Sequence, residues 1–522
     1  MAFAWSLSLQ AQPTFEKIYF TSSGLRFDLI ELPSKNVFSA LGCSQGVSRL
    51  DLQGNLIDTQ CYFPDTMVGV SALRKVADNE YYFASNYVKD SCTSSGSLTL
   101  PFTHPAIGRM DSLGNVLALR HYVFDGECRN LTGNLEITAD KGALICGRDS
   151  WFFAMRVDSL LSPLWAKRYT NNGGFQFVKE LPGGDLLAGI NMDTAGAVVT
   201  RLDPDGNVLW CKSYIRPKGV IHDAVVESDD SFIITGSTDS TSTNVFIPLP
   251  ETFQPKLFMM KLNGSGEVQW CRGYDSAPNY WNTPRASRIV RTIDGNYAVL
   301  ATLGHPGSNM FFRPFLMKTN LNGDTLWTRS VGSSGYDYFT MDLLASSDGG
   351  LCFSGWVWGD LPDANLALPY IFKTDSLGHV PCGQQAQSIQ VLDFFPTDSS
   401  FTLASLDDVT VRPAFVNDTI FGPIAVYDAC IVTTVGIRSI QDRKFRVYPN
   451  PSSGLFTVEF ADPLMAESYY SVYDVIGKLL YQRPLPVGKL TEEIDLSRYG
   501  KGTYVIKFTN PNGVCYERVV VE

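Results

Sequence analysis

The chain has 522 residues, with 42 Lys and Arg against 53 Asp and Glu, for a formal net charge of −11. That acidic balance, without any Lys/Arg cluster, argues against nucleic acid or an anionic membrane as a partner. No apolar run approaches the roughly 20 residues that span a bilayer, and the length supports two domains with full cores.

The first residues, MAFAWSLSLQAQPTF, read as the apolar core and cleavage region of a signal peptide, with cleavage near Ala11 or Gln12. No Lys or Arg precedes Lys17, so the positive leading region is missing and residues 1–12 are expected to be a partial signal peptide from a truncated start.

From there a motif recurs: an Asp or Asn, usually a Gly three residues later, and in four copies a Trp at position seven. Copies begin at Asp51, Asp111, Asp158, Asp203, Asn263, Asn320 and Asp375, at spacings of 60, 47, 45, 60, 57 and 55 residues. Such spacings exclude a short helical repeat and suit one multi-stranded unit per copy. A second apolar segment with its own turn precedes each copy, as in VVESDDSFIITG (225–236) and LLASSDGGLCFSG (343–355). Two tight hairpins per repeat make a four-stranded antiparallel sheet. Seven such sheets predict an all-β, seven-bladed β-propeller over residues 14–384.

The strand after the motif turn, expected to be the outermost, alternates aromatic, cation and Tyr: Trp165, Lys167, Tyr169; Trp210, Lys212, Tyr214; Trp270, Arg272, Tyr274. Residues two apart share one face of a strand. The seventh copy has Pro381-Cys382-Gly383 where this strand should start, a poor strand sequence. Phe15, Lys17 and Tyr19 repeat the missing spacing, so residues 14–20 are expected to complete the last blade and close the ring. The repeat resembles secreted bacterial propeller repeats of about 55 residues, and its D-x-x-G-x-x-x-W core is similar to the tryptophan-docking motif of quinoprotein propellers, with one residue fewer between Asp and Gly. That resemblance describes blade packing, not chemistry.

Asp203, Asp205 and Asn207 have the spacing of a calcium loop, but the bidentate carboxylate would fall on Tyr214, so these residues read as tight turns and no metal or cofactor is expected. The histidines (His104, His121, His222, His305, His379) are scattered, so no catalytic residue is assigned. The connections on the face opposite the short turns carry the insertions, near 86–105, 237–256, 275–287, 304–314 and 357–369. Aromatics on loops held by a rigid scaffold form a candidate recognition surface for glycan, peptide or protein: Tyr280, Trp281, Phe312, Arg313, Tyr336, Trp356 and Trp358. The competing reading packs these rings beneath their own loops. A secreted hydrolase or lyase acting on the same face is the alternative function.

Eleven cysteines include no CxxC; Cys92–Cys128 and Cys382–Cys430 are the candidate disulfides, and Cys146 and Cys352 read as core residues. Nine Asp-Ser/Thr tripeptides resemble the O-glycosylation sequon of Bacteroidetes, and those outside the repeat turn give Thr66, Thr194, Ser240, Ser276 and Thr419 as candidate sites; Asp-Ser is equally good turn chemistry. Residues 385–440 are β-like without being a repeat and are expected to form a strand bridge against the propeller, with a polar linker at 437–444.

Residues 443–522 alternate like a small antiparallel β-sandwich of six or seven strands. Tyr448-Pro449-Asn450-Pro451, Gly454, Gly477, Leu496…Gly500…Gly502-Thr503-Tyr504 and the terminal VVVE closely resemble the type A C-terminal sorting domain of the type IX secretion system of the Bacteroidetes. The resemblance implies export through the periplasm and the outer-membrane translocon, removal of the domain by a sortase, and a secreted or surface-anchored product.

Overall fold

A computed structural model describes residues 12–20, 28–39, 46–62, 67–93, 99–123, 131–148, 152–170, 173–192, 196–214, 219–238, 257–276, 288–305, 311–332, 336–359, 367–381, 384–386, 389–393, 398–400, 404–407, 410–413, 418–420, 425–428, 445–460, 468–474, 479–510 and 513–522. The chain divides into two compact units, Met1–Ile431 and Val432–Glu522.

The first unit is a seven-bladed β-propeller in which every blade is an antiparallel sheet of five strands. Four strands per blade come from the repeat, named a to d from the inside outward. In blade 5 they are Gly219–Val226, Phe232–Thr238, Leu257–Leu262 and Val268–Ser276. The a strands of successive blades touch one another around the ring, which places them innermost. Blade 7 takes strands a to c from Tyr336–Ala345, Leu351–Gly359 and Leu368–Lys373, and its d strand is Phe15–Phe20, with Phe15 opposite Lys373 and Ile18 opposite Tyr370.

The fifth strands correct the expectation of four-stranded blades with the aromatic–cation–Tyr strand outermost. That strand is fourth, because the strands of residues 385–428 lie against the propeller, as expected of this segment, and form a belt of seven short strands. Gln385–Ala386 pairs with blade 6, Ile389–Asp393 with blade 5, Asp398–Ser400 with blade 4 and Ala404–Asp407 with blade 3. Thr410–Pro413, Asp418–Ile420 and Ala425–Asp428 then pair with blades 2, 1 and 7. The belt therefore runs round the wheel against the order of the blades. The 86–105 insertion is likewise mostly a lengthened hairpin, Glu80–Thr93 with Thr99–Met110, rather than a loop.

Turn chemistry explains why seven dissimilar repeats make one shape. In every copy the first residue's side chain, Asp51, Asp111, Asp158, Asp203, Asn263, Asn320 or Asp375, accepts the backbone N–H groups two and four residues on, at 2.7–3.1 Å. An Asx side chain that caps its own turn in this way fixes the hairpin locally. At Asp203 the donors to Oδ1 are the backbone N–H groups of Asp205 and Asn207.

The turn also receives the neighbouring blade. The Trp165 ring lies over Gly206, whose φ is +79°, and a Cβ there would sit 2.9 Å from the indole. Trp165 Nε1 donates to the Pro204 carbonyl at 2.8 Å and Tyr169 Oη donates to the Gly206 carbonyl at 3.0 Å. Five further seams repeat the tyrosine bond: Tyr19 to Gly54, Tyr62 to Gly114, Tyr122 to Leu161, Tyr214 to Gly266 and Tyr274 to Gly323, at 2.6–2.9 Å. At the seam from blade 6 to blade 7 the corresponding residue is buried Val331, and Trp327 alone covers Gly378. Between the blades lie apolar clusters, for example Leu144, Phe152, Tyr169, Phe175 and Val198. Cys146, Cys211, Cys271 and Cys352 are buried thiols in this core.

Gly206→Ala is expected to cost about 1–3 kcal/mol, from the strained φ and the displaced indole. Gly183→Ala, where nothing lies within 4 Å, should change denaturant midpoints little; equal losses in the two variants would refute the docking role of the turn.

Candidate functional site

Three arrangements bear on function: a ring of charge on the inner strands, an aromatic strip on blades 6 and 7, and the docked motif of the C-terminal unit.

The inner strands of blades 3, 4, 5 and 7 each carry a bulge, seen as register breaks at Thr132/Asn134, Phe175/Phe177, Ile221/Asp223 and Thr340/Asp342. Along or next to the inner strands the blades present one charge each, in order Asp28, Arg74, Glu136, Lys179, Asp223, Arg288 and Asp342. Ion pairs link them: Asp28–Arg74 at 2.7 Å, Arg74–Glu136 at 3.9 Å, Glu136–Lys179 at 4.0 Å, Lys179–Asp223 at 3.6 Å and Arg288–Asp342 at 3.6 Å. Three carboxylates also accept a backbone N–H from the next blade, Asp28 from Leu73, Asp223 from Ile289 and Asp342 from Leu29.

Signs alternate around the ring, and seven is odd. Alternation must fail once, and it fails where Asp342 of blade 7 meets Asp28 of blade 1. Burial first, and then the Asp28 carboxylate, push the Asp342 carboxyl up to about 7. Burial disfavours the cation on Arg74, but Asp28, Glu136 and Asp342 more than offset it and its pKa is raised. His222, beside Asp223, is held down at about 4 by burial and then by Arg288. The ring neutralises itself around most of its length.

On the a–b turn side a cavity of about 640 Å³ is lined by Glu180, Pro182, Gly183, Val226 and Glu227 among others. Both carboxylates are engaged: Glu180 accepts from Ala139 N–H, and Glu227 pairs with Arg291 and accepts from Tyr297 Oη at 2.7 Å.

Of the predicted aromatic residues, Tyr280 and Trp281 lie outside the described residues. The others sit on strands, not loops, because strands b and c of blade 6 and strands a and b of blade 7 continue past their neighbours. Phe312 and Arg313 open strand c of blade 6, Tyr336 opens strand a of blade 7, and Trp356 and Trp358 close strand b. The Phe339 and Trp356 rings stack at 3.9 Å with 16° between planes, and Phe312 meets Phe339 at 5.1 Å. Asp337, opposite Trp358 in the register, accepts Phe312 N–H at 2.9 Å, and burial raises its pKa. Phe312 is buried and Tyr336 and Trp356 half-buried, so packing under the surface accounts for most of the strip; Trp358 is 50% exposed.

Thr66, Thr194, Ser240, Cys128, Cys382, Cys430 and Gly477 lie outside the described residues. Ser276 ends strand d of blade 5, Thr419 lies in the belt and Cys92 in strand b of blade 2. Sequence reasoning missed the charge ring. Part of its signal is a register one: Asp28, Asp223, Arg288 and Asp342 each stand four residues before the residue that opens an a–b turn, Leu32, Glu227, Thr292 and Ser346, and Glu136 and Lys179 stand two before theirs, Thr138 and Leu181.

The C-terminal unit is a sandwich of a three-stranded and a four-stranded sheet around Phe456, Val458, Val472, Ile494, Ile506 and Val519. Its Pro-Asn-Pro-Ser segment docks along the last strand, Gly513–Val521. Asn450 acts as a side-chain strand: Nδ2 donates to the Arg518 carbonyl at 2.7 Å and Oδ1 accepts Val520 N–H at 2.9 Å. Ser452 N–H donates to the Val520 carbonyl, and Glu522 N–H to the Ser452 carbonyl. Two cis peptides, Tyr448-Pro449 and Asn450-Pro451, shape this segment, and Tyr448 stays exposed. Gly454 has φ +118° and lies so close to Ser497 that a Cβ would be 2.5 Å from its Cα. Tyr504 Oη donates to the Tyr499 and Gly500 carbonyls, and Gly502 opens the strand that carries it. Among the described residues, Asn450 and Ser452 thus join the segment that follows the domain's first strand to its last strand.

Residues 446–522 match the family of the secretion system C-terminal sorting domain. A comparison with curated protein sequences gives no match. Among solved structures, a protein of unknown function from Bacteroides caccae is 13% identical, with 54% of this chain and 89% of that one covered and a TM-score of 0.34. The structure titled Dos1 propeller is 10% identical, with 70% and 96% covered and a TM-score of 0.38.

The ring makes stability depend on pH. The Asp342 carboxyl titrates near 7 when folded, against an ordinary 3.8, so between those values the folded chain holds a proton that the unfolded chain has lost. Stability therefore falls as pH rises through that window. Asp342→Asn should remove on the order of 1 kcal/mol of this slope between pH 5 and 8 in denaturant titrations; parallel curves for variant and parent would refute the shared-charge account.

Proposed function

We propose that this chain, type IX secretion cargo by its C-terminal sorting domain, is a binding or adhesion protein whose seven-bladed propeller is displayed at or beyond the cell surface. The sorting domain is its address for the outer-membrane translocon and sortase, reached through the periplasm. The propeller is the delivered part.

One observation carries the binding reading: the Phe312–Phe339–Trp356 stack, which supports a half-exposed Trp358 opposite Asp337. A rigid, pre-packed aromatic base costs little entropy on binding, and a protruding indole beside a carboxyl offers an apolar face and a hydrogen-bond acceptor together. Glycan, peptide or protein ligands all meet that chemistry. The alternative, a hydrolase or lyase in the channel, draws on the raised Asp342 carboxyl. Against it, the carboxylates of the ring already hold cations or backbone amides, which favours a structural role.

A glycan and peptide array probed with the full chain should yield a ligand whose affinity falls at least tenfold, about 1.4 kcal/mol, in Trp358→Ala with the melting temperature unchanged. Undiminished affinity would move the site elsewhere. Deleting residues 443–522 should retain the propeller inside the cell envelope, and unchanged appearance in the medium or on the surface would overturn the address.

A further inference from the structure

The belt deserves a reason beyond tidiness, since it spends forty-odd residues of chain visiting seven separate sheets. Without it, each blade would end on its d strand, and these strands are six to nine residues long. Edges of that length, carrying aromatic and Tyr residues in alternation, are templates for pairing with another chain. An antiparallel edge also pairs naturally with its own copy about a twofold axis. The belt covers each with a strand of only two to five residues, and very short edge strands are one way proteins blunt such templates.

The register carries a second pattern. Asp428 stands opposite Lys17, Asp407 opposite Lys167 and Asp393 opposite Arg272. Opposite charges thus recur at one rung, the middle position of the aromatic–cation–Tyr strand, in blades 7, 3 and 5. Facing residues of opposite charge favour one antiparallel register over its neighbours. In blade 7 the belt does more: Phe15–Phe20 lies between Leu368–Lys373 and Ala425–Asp428, so the strand that closes the wheel is held from both sides.

We propose that residues 385–428 are an intramolecular strand donor that occupies the edges through which two copies of this chain would otherwise join blade to blade, with Asp393, Asp407 and Asp428 setting its register against Arg272, Lys167 and Lys17. The partner kept out is a second copy of the chain. The belt's last strand also locks the closing strand in place.

The test uses the full chain and reads two quantities relative to the parent: hydrogen exchange over residues 15–20, and mass by light scattering across a concentration series. Val426→Pro, which removes a ladder position opposite Tyr19, should accelerate exchange of that segment at least tenfold and produce concentration-dependent dimers. Should that variant fail to fold, a charge exchange keeps the question open. Asp428→Lys should loosen residues 15–20, and Lys17→Asp with Asp428→Lys should restore protection. Unchanged exchange and mass in Val426→Pro, or a double variant as labile as the single one, would overturn the proposal.

Discussion

An aromatic ring laid on a left-handed turn, with a tyrosine hydroxyl closing on that turn's carbonyl, is the contact on which the rest of the wheel depends. Each blade is a sheet with two apolar faces and no means of its own to set the angle at which the next one packs. The Trp165 indole on Gly206 and the Tyr169 hydroxyl on its carbonyl set that angle from one point. Six tyrosines repeat the bond around the ring. The side chain that caps the turn from within is what keeps the carbonyl aimed outward. Packing between blades therefore inherits its geometry from local turn chemistry, not the reverse.

This dependence explains what was legible in the amino-acid sequence. The Asp or Asn at the head of each turn, and the Trp and Tyr that follow, act within one hairpin or between successive repeats, so their spacing survives as a visible period. Phe15, Lys17 and Tyr19 could be matched to the seventh blade because that period was already known. The belt left no such trace. The segment reads as β-like, but strands of two to five residues carry too few alternations to be told apart, and their partners lie from about 55 to about 410 residues away. Asp428 and Lys17 look unrelated until the register places them side by side.

The candidate site divides the same way. Trp356 and Trp358 were recognisable as aromatics beyond the end of a blade, but they lie on a strand that simply continues, and Phe339, the ring joining Phe312 to Trp356, was not singled out. The charge ring was harder. Its members are ordinary surface residue types, at one residue per blade, and they stand at more than one offset from the inner turns, so no single spacing marks them. Asn450 shows the converse: its motif is plain in the sequence, while its role, an amide side chain standing in for a strand beside Val520, depends on where the final strand lies.

Wheels built from tandem repeats can in principle gain or lose a spoke whenever recombination slips by one unit. Here the gene records the number of spokes twice, once in the repeats and once, in reverse order, in the strip that wraps them. A slip in the first record alone would strand one segment of the second, so copy number is fixed by the need for two distant stretches of coding sequence to agree.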